Sequence, residues 1–219
     1  MQMGKSGIWQ LFFERKYIFL AAFSLLYIFL PPFLVDFNVL SLLIVVLYTI
    51  VLALCLVIIS GSEKPKVFHL ILLVFLVLPF LKIEHYYRTG LYLVIAIIYG
   101  WTAFKIIFQI LKIENVNSEV IMGAVGGYLL IGLSGSFFIA FYSSIDPVSF
   151  QISSEVPNVY DKVYFTFVTL TTLGYGDITP HTPQAKSISI MIALVGQIYL
   201  TILMAILVGK YLFNFNNSK

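Results

Sequence analysis

The chain is organised as six long apolar stretches separated by short polar segments. A helix that crosses the hydrocarbon core of a bilayer needs about 20 mostly apolar residues. The pattern therefore predicts six transmembrane helices, at about residues 16–30, 39–59, 67–81, 87–111, 120–142 and 186–213. Pro31 and Pro32 end the first stretch, and Ser60 and Gly61 end the second. We expect an all-α membrane protein.

Composition agrees with lipid as the surrounding medium. Of the 219 residues, 60% are hydrophobic and 11% are charged, whereas soluble domains carry about 25% charged residues. The net charge of +3 is small, so we expect membrane lipid and no nucleic acid as a partner. Cys55 is the only cysteine. It lies in an apolar stretch, cannot form an internal disulfide and is expected to be a small buried hydrophobe.

The basic residues predict the orientation, because cytoplasmic loops carry an excess of lysine and arginine. With six crossings both termini lie on one side. Nine basic residues share that side, and they are Lys5, Arg15, Lys16, Lys64, Lys66, Lys105, Lys112, Lys210 and Lys219. The opposite side holds Lys82, Arg88, Lys162 and Lys186. We therefore expect a multi-pass protein of the cell membrane with both termini in the cytoplasm, and no cleavage site marks the amino terminus as a signal peptide.

The segment between the last two stretches, residues 143–185, differs from the other connections. Its first part, 143–157, is polar and contains Pro147 and Pro157. The following residues, 160–171, are apolar and aromatic, but twelve helical residues rise only about 18 Å and cannot cross a bilayer. This length predicts a re-entrant helix. Irregular backbone at membrane depth is tolerated only where it is buried in protein or lines a water-filled path, so the residues after 171 should lie on such a path.

The residues at that position read TLGYGD and are Thr172, Leu173, Gly174, Tyr175, Gly176 and Asp177. A dehydrated cation needs a ring of oxygens in place of its water, and backbone carbonyls supply them if they point to one side. Glycine at alternate positions permits the positive φ that re-aims successive carbonyls. The pattern predicts a selectivity filter. One motif per chain cannot close a ring, so the chain should assemble with copies of itself.

Neighbouring residues are expected to support this filter. Tyr175 should point away from the ion path and pack on Tyr164 and Phe165 of the re-entrant helix, with Thr171 at its end. The carboxyl end of that helix carries partial negative charge, which favours a cation. Acidic side chains in the outer segment should raise the cation concentration at the mouth, and they are Asp146, Glu155, Asp161 and Asp177.

Residues 160–180 resemble the pore loop of the tetrameric potassium channel superfamily, through T-x-G-Y-G-D. The last stretch is similar to the inner helix of prokaryotic members, in Gly196-Gln197-Ile198-Tyr199-Leu200 and Leu207-Val208-Gly209. The resemblance implies a homotetramer that conducts K⁺ passively, with the permeant ion at Thr172, Leu173, Gly174 and Tyr175. It implies a pore domain at 114–219 behind a bundle at 1–113 placed like a voltage sensor.

The last stretch should line the ion path with one face. Gln197, Thr201, Met204 and Val208 recur at helical spacing, and polar residues within spans usually face protein or a water cavity. We expect this face to line the cavity, with Met204 and Val208 as an apolar constriction. The alternative is that Gln197 bonds to a neighbouring helix. Gly196 is equally compatible with a bending point and with close helix packing.

The first four stretches lack the features of a voltage sensor. One charge crossing 100 mV is worth about 2.3 kcal/mol, so a steep response needs several. The fourth stretch carries Lys105 inside and Arg88 and Lys112 at its edges, so we expect weak or absent voltage dependence. Glu84 and His85 are expected to lie in a solvated loop and not to bind a metal.

Other function classes fit less well. A potassium transporter or pump subunit usually repeats the pore loop within one chain and relaxes its glycine-tyrosine-glycine core, and neither departure occurs here. A non-conducting scaffold is a further alternative. No Ser/His/Asp set, metal cluster or phosphate loop is visible, so an enzyme is not expected. No regulatory domain follows the last stretch, which leaves gating without one and truncation equally open.

Overall fold

The computed structural model describes residues 15–30, 33, 47, 50, 51, 53–55, 85–113, 116–151 and 159–217. The described part is largely helical. Its helices are α1 (Lys16–Phe29), α2 (His85–Lys112), α3 (Ser118–Ile145), α4 (Val159–Leu170) and α5 (Pro183–Asn217). Two short strands, β1 (Phe150–Gln151) and β2 (Thr179–Pro180), pair antiparallel.

The helices agree with four of the six predicted stretches. Among the described residues, three segments are long and apolar enough to cross a membrane, and they are Tyr87–Lys112, Ser118–Ile145 and Pro183–Lys210. Helix α1 is apolar but has only 14 residues. The third predicted stretch lies outside the described residues, and only a few helical positions of the second are described. The all-α class is therefore supported, while the count of six crossings stays a prediction.

Helices α2 and α3 form an antiparallel hairpin joined by residues 113–117. The Asn117 side chain caps α3 by accepting from the Val120 N–H at 3.0 Å. Farther along, the Ser134 hydroxyl donates to the Ala96 carbonyl at 2.7 Å. Such a bond between helices satisfies a polar group that lipid would leave unpaired.

Helix α3 is the central helix of the described part, since α1, α2, α4 and α5 all pack on it. Glycines on its surface allow this close approach. A Cβ at Gly127 would lie 2.6 Å from the Tyr199 hydroxyl of α5, and one at Gly132 would collide with the Phe167 ring of α4. The Tyr199 hydroxyl donates to the Ala124 carbonyl at 2.6 Å.

A small apolar cluster joins the carboxyl end of α3, helix α4 and the amino end of α5. It contains Ile139, Phe150, Phe165 and Ala185. The Phe150 and Phe165 rings meet edge to face with centroids 5.2 Å apart. Because Phe150 belongs to β1, this cluster and the β1–β2 ladder hold the segment after residue 177 against the segment before α4.

Helix α5 begins where its sequence provides a cap. The Thr182 hydroxyl accepts from the Ala185 N–H at 3.3 Å, and Pro183 occupies the first helical position. Near its middle, Gly196 lies directly against the end of α4, where a Cβ would collide with the Leu170 carbonyl oxygen and lie 2.9 Å from Leu170 Cδ1. This contact supports the packing role of Gly196.

Gly196→Ala should therefore destabilise the protein. We expect a loss of about 1–3 kcal/mol through overpacking against a backbone carbonyl, measured as a lower Tm of the purified protein in detergent. Gly209→Ala is the matched control on the same helix, because nothing lies within 4 Å of its Cβ. The control should keep or slightly raise Tm, since alanine is the better helix former by about 1 kcal/mol. Equal Tm values for the two variants would contradict the packing role.

Candidate ion-conduction site

The carboxyl end of α4 leads directly into the TLGYGD segment, and its last carbonyls all have partners. The Phe167 carbonyl accepts from the Thr171 N–H at 3.0 Å and from the Thr171 hydroxyl at 2.6 Å. The carbonyls of residues 168 and 169 accept from the N–H groups of Gly174 at 3.2 Å and Thr172 at 3.0 Å. The Leu170 carbonyl accepts from the Tyr128 hydroxyl at 3.3 Å. These bonds fix where the segment leaves the helix.

The backbone of the segment alternates in handedness. Thr172 has φ 61°, Gly174 has φ 59° and Gly176 has φ 80°. Positive φ at both glycines matches the expectation from the motif. Positive φ at Thr172 was not expected, because a β-branched residue rarely adopts it. Alternation between positive and ordinary φ is the conformation that turns successive carbonyls toward one side of an extended chain.

The whole segment from Thr171 to Asp177 is exposed in the single chain. Leu173 is 60% exposed and Tyr175 is 67% exposed. A Cβ at Gly174 or Gly176 would meet nothing within 4 Å. Any restriction on these two positions within one chain therefore comes from their positive φ and not from crowding.

Tyr164 and Asp177 form the polar contact behind the segment. The Tyr164 hydroxyl donates to Asp177 Oδ2 at 2.6 Å. This bond lowers the pKa of Asp177 below its ordinary value and raises the pKa of Tyr164 to about 12, because it stabilises the carboxylate and holds the phenol proton. This bond thus fixes Asp177 against α4.

Phe165 has a neighbour that the sequence did not indicate, and its expected packing on Tyr175 stays a prediction. Its ring is buried and packs on Phe150, within the apolar cluster that also contains Ile139 and Ala185. Packing of Phe165 on Tyr175 is therefore not seen within one chain. Tyr164 uses its hydroxyl on Asp177 instead.

The two faces of α5 differ sharply. Gly196, Tyr199 and Leu203 recur at helical spacing and are buried against α3 and α4. Gln197, Thr201 and Val208 are exposed on the other side, and Met204 belongs to the same predicted face, although its side chain lies outside what the structure describes. Large apolar residues around this face are exposed as well, and they include Ile190, Met191, Leu194, Ile198 and Ile202.

The remaining candidates from the sequence contribute little to this site. Glu84, Glu155 and the side chain of His85 lie outside the described residues. Asp146 is half-buried at the carboxyl end of α3, and Asp161 is half-buried in the first turn of α4. Among the described residues, no group of three or more His, Cys, Asp or Glu side chains is placed to hold a metal ion.

The segment that contains this site is similar to known proteins. Residues 123–213 match the family described as ion channel. That segment is similar to ion-channel sequences. A 75-residue stretch is 43% identical to "Two pore potassium channel c" of Oryza sativa subsp. japonica, and covers 34% of this chain and 16% of that protein. A 78-residue stretch is 38% identical to "Voltage-gated potassium channel" of Aeropyrum pernix, and covers 36% and 25%.

A third relative is "Hyperpolarization-activated voltage-gated potassium channel" of Methanocaldococcus jannaschii, 46% identical over 39 residues, which are 18% of this chain and 19% of that protein. The chain thus spans a quarter or less of the length of these curated relatives. No solved structure matches it. The family match contains α4, the TLGYGD segment and most of α3 and α5. The matched segment is thus the part of the chain that resembles ion channels.

Tyr164→Phe should make the site more sensitive to acid. Loss of the hydroxyl removes the bond that lowers the pKa of Asp177, so the carboxylate takes up its proton at a higher pH. In the channel proposed below, we expect the midpoint for inhibition of K⁺ current by acid on the Asp177 side of the membrane to move to higher pH. Tyr87→Phe, at an exposed tyrosine of α2, is the control and should leave the midpoint unchanged. An unchanged midpoint in Tyr164→Phe would show that this bond does not act on conduction.

Proposed function

We propose that the chain is one subunit of a potassium-selective channel in which four copies surround a single ion path. The observation that carries this proposal is the alternation of positive φ at Thr172, Gly174 and Gly176 on an exposed segment that leaves the capped end of α4. A backbone of this kind presents several carbonyl oxygens to one side. Rings of such oxygens replace the hydration shell of K⁺.

The filter is proposed to bind K⁺ through the backbone at Thr172, Leu173, Gly174 and Tyr175. Gly176 and Asp177 close its outer end, and the bond from Tyr164 holds Asp177 in place. Thr171 supports the inner end, because its hydroxyl and N–H both bond to the last turn of α4. The protein supplies geometry alone, and the ion crosses passively down its gradient.

Self-assembly is proposed because one chain leaves the relevant surfaces uncovered. Six exposed residues in an extended segment cannot enclose an ion. The uncovered face of α5 combines apolar side chains with Gln197 and Thr201. In a ring of four copies, a closed cyclic arrangement, this face borders the path and the neighbouring subunits. Gln197, Thr201, Met204 and Val208 then line the cavity, and Val208 lies at its apolar constriction.

We propose that voltage has little effect on this channel. In α2, Arg88 is exposed near the helix start, Lys105 is half-buried and Lys112 is exposed in the last turn. Only Lys105 lies well inside the span, and one charge provides about 2.3 kcal/mol per 100 mV. A steep conductance–voltage relation with several gating charges would contradict this part of the proposal.

The test is ion flux into liposomes that contain the purified protein and a K⁺ gradient. We expect K⁺ flux that barium blocks and that Na⁺ does not replace. Gly174→Val should abolish flux, because valine disfavours the positive φ of this position. Gly90→Val is the matched control at an exposed position of α2, where a Cβ meets nothing within 4 Å. This variant should retain flux. Equal flux of Na⁺ and K⁺, or selective flux through Gly174→Val, would overturn the proposed filter.

A further inference from the structure

Lys210 makes a contact that neither the filter nor the cavity explains. Its Nζ donates to the carbonyls of Ile110 at 3.0 Å, Leu111 at 2.9 Å and Ile113 at 2.5 Å. An ammonium has three donors and no acceptor, so these three carbonyls satisfy it completely. Ile110 and Leu111 lie in the last turn of α2 and Ile113 follows it directly, about a hundred residues before Lys210 in the chain.

Each side of this contact has what the other needs. The last carbonyls of a helix have no donor within the helix, and the carboxyl end also carries partial negative charge that favours a cation. The end of α2 is held a second time from α1, where the Tyr17 hydroxyl donates to the Gln109 side-chain oxygen. Helices α1 and α5 therefore both form hydrogen bonds to the same end of α2.

Lys210 lies on the packing face of α5 and not on the face that we assign to the cavity. It continues the series Gly196, Tyr199 and Leu203 with the spacing of a helix. Val208, at the proposed constriction, is two residues earlier on the uncovered face. A displacement of the end of α2 would therefore act through Lys210 on the part of α5 that we assign to the constriction.

We propose that Lys210 is a positioning residue that ties the cytoplasmic end of α5 to α2 of the same chain, so that the first-half helices set the position of the constriction within their own subunit. The inference rests on the proposed channel function. It assigns to a bundle without sensor charges a mechanical role on the gate. The short connection 113–117 keeps α2 beside α3 of its own chain, because five residues span at most about 18 Å.

The first experiment changes the charge at position 210 and measures single-channel open probability in bilayers. Lys210→Gln should change the ratio of open to closed time by about tenfold, the size expected for loss of a cation at a helix carboxyl end. Lys210→Glu should change it farther in the same direction, and Lys210→Arg should restore it to within about threefold. Lys112→Gln is the matched control, since it removes the same charge from an exposed residue at the same end of α2.

The outcomes separate this proposal from the proposed function. Selectivity for K⁺ over Na⁺ should be unchanged in every variant at position 210, whereas non-selective wild-type flux contradicts the filter and leaves the Lys210 contact untouched. Wild-type open probability in Lys210→Gln would overturn the positioning role, as would equal effects of Lys210→Gln and Lys112→Gln.

A second variant guards against failed assembly. The variant is Lys210→Cys in a Cys55→Ala background. After reconstitution, one sample is treated with a thiol reagent that adds an aminoethyl group. A second sample is treated with a reagent that adds a neutral methyl group. The aminoethyl group returns an ammonium to this position, so it should shift open probability toward wild type while the methyl group does not. Identical effects of both reagents would count against the contact.

A disulfide tests whether α2 belongs to the same subunit. A Cβ at Gly100 would lie 3.9 Å from the Ser134 Cβ, which fits the Cβ separation of a disulfide, about 3.8 Å. Gly100→Cys with Ser134→Cys, on Cys55→Ala, should oxidise without forming larger species on a denaturing non-reducing gel. A ladder of dimers to tetramers would show that α2 packs on a neighbouring subunit, and would overturn the same-chain arrangement. This readout does not depend on conduction.

Discussion

The constraint on which the structure depends is that no backbone carbonyl or N–H can remain unpaired in hydrocarbon. Regular helices meet this requirement along their length, so it becomes acute where a helix ends or where the chain is irregular. Both kinds of place occur in the described part of the chain. The end of α4 is paired by its own following residues and by Tyr128, and the end of α2 is paired by Lys210. The bonds that stabilise these two helix ends therefore also connect them to other helices.

Several side-chain hydroxyls within helices are paired in the same way. Thr102, Ser136, Ser144, Thr166 and Ser189 each donate to the carbonyl four residues earlier in their own helix. Such bonds let a polar residue lie in an apolar surface without a partner helix. Hydroxyls that instead reach another helix mark where two helices are fixed in register. Ser134 does so between α3 and α2, and Tyr199 does so between α5 and α3.

Sequence reasoning was strongest where one residue type has one physical use. Paired glycines in TLGYGD predicted positive φ, and both have it. Apolar length predicted α2, α3 and α5 to within a few residues. It was weak where a choice between partners decides the outcome. The contact of Phe165 with Phe150 had no signal in the sequence, and packing of Phe165 on Tyr175 stays a prediction. Positive φ at Thr172 had no signal, since threonine disfavours it. In the structure it accompanies the bond from the Thr172 N–H to the Thr169 carbonyl at 3.0 Å.

Lys210 shows why a long-range contact escapes a pattern of hydrophobicity. In the sequence it interrupts an apolar run near the end of the last stretch, and the ordinary interpretation is a lysine that extends to the membrane surface. Snorkelling and capping both require the same flexible stem and the same position near a helix end. What distinguishes them is the presence of three carbonyls within reach at the end of a helix about a hundred residues earlier. Of these, the Ile110 carbonyl also accepts from the Ile113 N–H at 3.3 Å. A charge that looks like an adaptation to lipid is thus also suited to join two helices, and this is the contact through which we propose that the first-half helices act on the constriction.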